Sequence, residues 1–354
     1  MECGVSKQSV RNLLEVGQGN EIAITAPNRK PLNYNGLRIH VDLIGEQLAS
    51  IGLKNSDRVA IVLPNGPEMA TAFLAVASYM SAAPLNPSYK EAEYEFYLED
   101  LKPKLVIVEE NTSNPVVKAA KKLSIPIAEI SVNKDNAAGE FSLFETRKSI
   151  DIPSIEMEAL VLHTSGTTSR PKVVPLTQSN LVASSGNISA TLKLKEADHS
   201  LNIMPLFHIH GLIAVLCASI SAGSSVCCTP GFNALKFFEL ANSQKITWYS
   251  GVPTMHQAIL LRGQRQADVA KALNLRFIRS SSASLPPAVF DELTTLFNCP
   301  VIEAYGMTEA THQMTSNPLP PKKQKAGFVG LPAGPEVCIM DAAGNKLAEG
   351  EEGE

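Results

Sequence analysis

The residues Thr164-Ser165-Gly166-Thr167-Thr168-Ser169-Arg170-Pro171-Lys172 place a run of hydroxyls, a glycine and a lysine directly after the apolar stretch Ala159–Leu162. Hydroxyl groups, flexible backbone N–H groups and a cation all donate to negative charge, so the run suits the oxygens of a polyphosphate. It is not a Walker loop, because Gly166 is followed by no second glycine at the place which that motif requires. Taken alone, such a run is more often a solvated Ser/Thr loop.

It does not stand alone. Four further segments follow it in order: Pro205-Leu206-Phe207-His208-Ile209-His210-Gly211, Ser280-Ser281-Ser282-Ala283-Ser284-Leu285, Tyr305-Gly306-Met307-Thr308-Glu309 and Gly327-Phe328-Val329-Gly330-Leu331-Pro332. In type and order the five segments resemble the adenylate-forming superfamily: acyl-CoA synthetases, 4-coumarate–CoA ligases, peptide-synthetase adenylation domains and firefly luciferase. Its members carry a loop similar to T-S-G-T-T-G-x-P-K-G, then P-x-F-H, a small-residue adenine loop and Y-G-x-T-E. The agreement covers the second half of the chain.

The resemblance implies an AMP-forming acid–CoA ligase that uses ATP, Mg2+ and CoA, with CoA as co-substrate. A carboxylate attacks the α-phosphorus of ATP, pyrophosphate leaves, and a thiolate then takes the acyl group. On this resemblance Thr164, Ser165, Gly166, Thr167, Thr168 and Lys172 hold the β- and γ-phosphates, and Thr308 contacts the α-phosphate. Glu309, with Thr168, ligates Mg2+, a hard cation that prefers oxygen ligands. Tyr305 stacks on adenine, Ser282, Ala283 and Ser284 meet the ring edge, and Glu303, Ala304 and Gly306 complete the nucleotide site. His208 sits where the acyl group meets the α-phosphate. Lys172, His208, Thr308 and Glu309 are thus the catalytic candidates. By type alone Tyr305 and His208 also suit a packed core. Two positions depart from the pattern: Ser169 and Val173 stand where the superfamily has glycine. A β-branched Val173 disfavours positive φ, which puts the loop geometry there in question.

The Ser169–Lys172 version of the loop, Pro205–Gly211, Arg276-Phe277-Ile278-Arg279-Ser280 and Tyr305–His312 resemble the oxalate–CoA ligase branch. Oxalate is a small dianion whose second carboxylate must be paired once water is excluded. Ser281 and Ser282 supply hydroxyls where relatives often carry glycine or alanine. His208, His210 and His312 add donors and Arg279 adds a permanent charge. Against this, Arg279 suits a structural ion pair and His312 a solvent-facing loop. Another short, medium-chain or aromatic acid is the competing substrate. An amino acid fits less well, because no acidic residue lies near Pro205–His208 to hold an ammonium group.

These residues need a frame to hold them. Short apolar runs such as Val59–Leu63 and Leu105–Val108 alternate with helical stretches at Glu68–Met80 and about Glu91–Asp100. Alternation of this kind predicts α/β architecture with parallel sheets covered on both faces. The expected organisation is two doubly wound α/β subdomains packed together, at 1–155 and 156–325, and the start of a small β-rich subdomain at 326–354. Asn133–Pro153 reads as a polar connection. Thr177 is the expected N-cap of a helix over Ser179–Leu192. Later strands are expected at Val226–Cys228, Ile246–Tyr249, Leu275–Ile278 and Val301–Ile302, and a hairpin-like turn at Asp341-Ala342-Ala343-Gly344.

Composition sets the limits. Hydrophobic residues make up 44%, charged residues 19%, and the net charge is −4. With no basic stripe, nucleic acid is not an expected partner. The stretch between Asp198 and Lys236 carries no charged residue. A membrane span wants about 20 predominantly apolar residues, and histidines, Pro205, Gly211 and serines interrupt this one. It is expected as strand, buried helix and strand. Six cysteines without metal-ligand spacing suggest reduced thiols. The adjacent Cys227 and Cys228 read as small apolar strand residues, with a redox switch as the alternative. The expected location is cytoplasmic, with peroxisomal as the alternative, and oligomeric state leaves no trace.

The superfamily continues with a Gly-Asp segment that binds ribose and with a mobile, lysine-bearing C-terminal domain. Neither is in this sequence, so weak nucleotide binding and poor turnover are expected of these residues alone. A non-catalytic nucleotide-binding module is the rival class.

Overall fold

The computed structural model describes residues 8–164 and 171–354. Among these residues the first sheet has six strands, in the order Ile127–Ile130, Leu105–Glu109, Arg58–Val62, Ser81–Pro84, Glu158–Thr164 and Lys172–Thr177. Its pairs are parallel except the last, which is antiparallel. Runs such as Val59-Ala60-Ile61 are buried throughout, as expected of parallel strands covered on both faces.

The second sheet has nine strands among the described residues. Their order is Leu331–Pro332, His312–Ser316, Val301–Met307, Phe277–Ser280, Trp248–Gly251, His199–Asn202, Ser225–Cys228, Ile22–Thr25 and Leu32–Asn33. The six from Val301–Met307 to Ile22–Thr25 are parallel, and antiparallel strands close both ends.

The sheets interleave along the chain and do not part at residues 155 and 156. Glu158–Thr164 and Lys172–Thr177 complete the first sheet, while Ile22–Thr25 joins the second by pairing Ile24 with Val226. A parallel strand has no neighbour within one turn, so its partner comes through a crossover and is set by distant sequence. Nor does the third expected segment stand apart: Leu331 pairs with Ser316 at the edge of the second sheet. Beyond it, Asp341 Oδ1 accepts from Ala343 N–H and Asn345 N–H, and Gly344 at φ 83° closes the expected turn.

The helix Pro67–Tyr79 is buried at nearly every position and packs against strands of both sheets. Its alanines let the sheets approach, and Pro67 at its first position costs no hydrogen bond. The other buried connector is the wide π-type helix His210–Cys217, which continues into Ala218–Ile220. With the strands His199–Asn202 and Ser225–Cys228 on either side, it realises the charge-free stretch as buried core. No helix among the described residues is long and apolar enough to cross a membrane. Cys227 and Cys228, adjacent on one strand, enter different apolar clusters and are not bonded to each other. Burial raises both thiols and so disfavours the reactive thiolate.

Candidate active site

A cavity of about 610 Å³ opens where strands of both sheets end. Its walls follow the carboxyl ends of parallel strands, where ligands of open α/β sheets bind. Pro84, Leu85 and Asn86 end and follow the strand Ser81–Pro84, and Thr164 ends Glu158–Thr164. Phe207, His208 and Ile209 follow His199–Asn202. Ser282 follows Phe277–Ser280, and Met307, Thr308 and Glu309 stand at and just beyond the end of Val301–Met307.

Thr164 pairs with Lys172 and His163 with Val173 across the antiparallel ladder. Both ends of the hydroxyl-rich run are therefore fixed beside each other at the pocket. Val173 suits this place, because a β-branched residue fits an extended strand; it is a ladder residue with no need of positive φ. Ser165, Gly166, Thr167 and Thr168 lie outside the described residues. Opposite the ladder, the short turn of helix Thr308–Ala310 packs against the strand Lys172–Thr177. It brings Thr308 and Glu309 into the same wall as Thr164 and Lys172.

The Pro205–His210 segment is held from the first sheet. Asn65 Oδ1 accepts from Leu206 N–H at 2.7 Å, and Asn65 Nδ2 donates to Thr229 O at 3.0 Å. Gly211 is required here, since a Cβ would lie 2.4 Å from Pro205 O. His208 Nδ1 accepts from His210 N–H at 3.3 Å, so a neutral His208 carries its proton on Nε2. Its ring reaches solvent, yet the surrounding protein removes enough water to lower its pKa.

Behind this wall lies a buried polar group of side chains. His210 bonds Ser282 Oγ through Nδ1 at 3.0 Å and Ser250 Oγ through Nε2 at 2.6 Å. Its ring meets His312 edge-on at 5.0 Å. Burial first, then neighbouring positive charge, holds both histidines well below the ordinary pKa, so both are neutral at pH 7. His312 lines the pocket and its Nδ1 has no partner among the described residues. Arg279 is fully buried. Among the described residues no carboxylate pairs with it, so the structural ion pair is not found. Burial lowers its pKa to about 9.

Other expected residues fall elsewhere. Ser281 is buried and donates to Ala304 O at 2.8 Å, which ties two strands together rather than presenting a hydroxyl to the pocket. Glu303 Oε1 accepts from Gly327 N–H at 2.8 Å and braces the 327–330 segment; burial raises its pKa. Tyr305, 46% exposed, and Ala283 and Ser284, also exposed, lie outside the pocket lining. Gly306 lines it, and a Cβ there would lie 1.4 Å from His312 O, so that strand pair closes only over glycine.

Sequence reasoning passed over Asn86, Tyr89, Tyr97 and His163. Tyr89 stacks on Tyr97 at 4.8 Å, and Tyr97 meets the His163 ring at 4.7 Å, forming the wall on the first sheet's side. His163 Nε2 bonds Asp100 Oδ2 at 2.9 Å. The available signal was Asn86 just past the end of the strand that closes at Pro84.

Comparison with known proteins gives the family and the fold. The family described as AMP-binding enzyme matches residues 15–354. Oxalate–CoA ligase of Arabidopsis thaliana is 40% identical over 353 residues, covering 94% of this chain and 68% of that protein. Oxalate–CoA ligase of Saccharomyces cerevisiae is 40% identical over 325 residues, covering 84% of this chain and 59% of that protein. The chain thus spans roughly two thirds or less of these relatives. The structure of ATP-bound MatB from Rhodopseudomonas palustris has the same fold, with a TM-score of 0.85 at 24% identity over 98% of this chain and 69% of that one.

Proposed function

Because the chain belongs to the AMP-binding enzyme family, we propose that its pocket binds ATP and a small carboxylic acid, joins them as an acyl-adenylate, and serves an acid–CoA ligase whose acid is oxalate. The carrying observation is that Thr164, Lys172, His208, Thr308, Glu309 and His312 line one cavity.

Lys172 and the hydroxyls at the root of the run neutralise the β- and γ-phosphates as pyrophosphate leaves. Thr308 donates to the α-phosphate. His208, whose Nε2–H has no partner among the described residues, donates to an oxygen at the junction of carboxylate and α-phosphorus. Fixed donors of this kind are worth about 3–4 kcal/mol each in a transition state. Glu309 is the carboxylate that would hold Mg2+ together with the phosphates, which suits an ion that takes few protein ligands and several phosphate or water oxygens. When bound, the ion neutralises charge on the phosphate oxygens. Tyr305, exposed next to the lining residue Gly306, would cover the adenine.

The acid is read from the back of the pocket. Arg279, buried behind the pocket wall with no carboxylate beside it among the described residues, sets positive charge there, and His312 on the wall has an Nδ1 with no partner among the described residues. A second carboxylate on the acid answers both; a fatty or aromatic chain does not. The identity to two oxalate–CoA ligases supports the same acid.

Oxalate-dependent ATP–pyrophosphate exchange, followed by AMP release when CoA is added, tests the proposal on the full-length protein. Exchange with oxalate well above that with acetate is expected. Exchange driven by hexanoate or 4-coumarate in preference to oxalate would refute the acid assignment, and no exchange with any acid would refute the ligase.

A further inference from the structure

The side chains that hold Arg279 are neutral. Arg279 Nη1 donates to Ser250 Oγ at 3.4 Å and Nη2 to Gln313 Oε1 at 3.3 Å. The Nε–H has no acceptor among the described residues. Gln313, 2% exposed, is itself fixed: its Nε2 donates to Thr191 Oγ1 at 3.3 Å and to Ala333 O at 3.2 Å. It therefore ties the guanidinium to the helix Gln178–Thr191 and to Ala333, just past the edge strand Leu331–Pro332.

Burying a charge without a partner is costly, and breaking or omitting one member of a buried pair leaves that cost standing. Glutamate has the shape of glutamine and at position 313 would place a carboxylate on the guanidinium. The sequence carries the amide instead. We infer that Gln313 is a specificity-determining positioning residue, which holds Arg279 without cancelling its charge and so reserves that charge for the second carboxylate of a dianionic acid. This rests on the ligase reading above and extends it from the acid to what selects it.

The arrangement explains why a neutral pair of histidines stands between Arg279 and the open cavity. His210 shares Ser250 Oγ with Arg279, and His312 forms the pocket wall. With both imidazoles uncharged, Arg279 is the permanent charge at the back of the site. Its field reaches His312, whose pKa it helps to lower.

The test compares wild type, Gln313→Glu and Gln313→Leu in the full-length protein, by kcat/KM for adenylation of oxalate and malonate against acetate and glyoxylate. Wild type is expected to favour the dianions. Gln313→Glu should cut the dianion-to-monoanion ratio by about tenfold or more, since like charge facing a ligand costs several kcal/mol. Gln313→Leu removes the hold without adding charge, and should raise KM for the dianions by no more than about threefold while leaving the monoanions little changed. Equal losses for both acid classes in Gln313→Glu, or a ratio that collapses equally in Gln313→Leu, would overturn the inference and leave a packing role. A wild type that takes monoanions as readily as dianions overturns it while the ligase reading stands. A preference for malonate over oxalate removes the oxalate assignment alone, and the ratio still decides. No adenylation of any acid defeats both.

Discussion

Thr164 and Lys172 are register partners on two antiparallel strands. The two ends of the hydroxyl-rich run therefore sit side by side on the pocket wall, across from the turn that carries Thr308 and Glu309. On the proposed function, this pairing would let one cluster of donors act on one triphosphate.

Lys172 is exposed and leaves the ladder geometry to its backbone, so its side chain is dispensable for folding. Lys172→Met should lower the exchange rate by about 10²-fold or more, the usual effect of losing one transition-state donor. The melting temperature should move little. A variant with wild-type exchange would remove Lys172 from the chemistry.

The reaction should lose rate on the acid side. His208 has a lowered pKa, so it is neutral at pH 7, and its Nδ1 must accept from His210 N–H. Protonation puts a hydrogen on Nδ1 and sets two donors against each other. Rate should thus fall only below the ordinary histidine range, around pH 6.5. His208→Asn should lower the rate about 10- to 100-fold and flatten the acid limb of kcat/KM. An unchanged limb would assign it to another group.

Gly306 admits no side chain, since a Cβ would meet His312 O. Gly306→Ala must push the strand His312–Ser316 away, shifting His312 and Gln313 together. Overpacking of this sort typically costs about 1–3 kcal/mol. Urea unfolding should show that loss, with the acid KM rising as well. A variant that keeps both stability and KM would mean that the strand pair yields easily.

Stability should also fall in acid. Burial lowers His40 and His256 to about 4, whereas a histidine in the unfolded chain titrates near 6.5. Between those values the unfolded chain binds more protons, so stability drops as pH falls through that window. Each residue should cost about 1–2 kcal/mol by pH 5. His40→Leu, which also removes an Nε2 with no partner among the described residues, should lessen the difference in urea midpoint between pH 7 and pH 5. Equal slopes for wild type and variant would show that other groups govern it.

Elements whose signal is local were legible. The helix at Pro67–Tyr79 shows in an apolar run behind a turn with proline. Thr177 caps its helix by accepting from Asn180 N–H at 3.2 Å, as its place before the periodic stretch predicts. Long-range pairing was not legible: nothing near Ile24 names Val226 as its neighbour. The strand Lys172–Thr177 was hidden by Pro175. Proline is tolerated there because this is the edge strand of its sheet. At the site, residues in compact motifs, such as Thr308 and Glu309, were singled out through the family resemblance, and both line the cavity. Tyr97, His163 and Gln313 were not singled out, since their part depends on which wall or which guanidinium the fold brings them to.

A crystal of the protein with ATP and Mg2+ tests the central claim most directly. The triphosphate should lie between Lys172 and Glu309, with the α-phosphate toward Thr308 and His208. Nucleotide bound away from that cleft, or a Glu309 carboxylate turned from the phosphates and the metal, would contradict it.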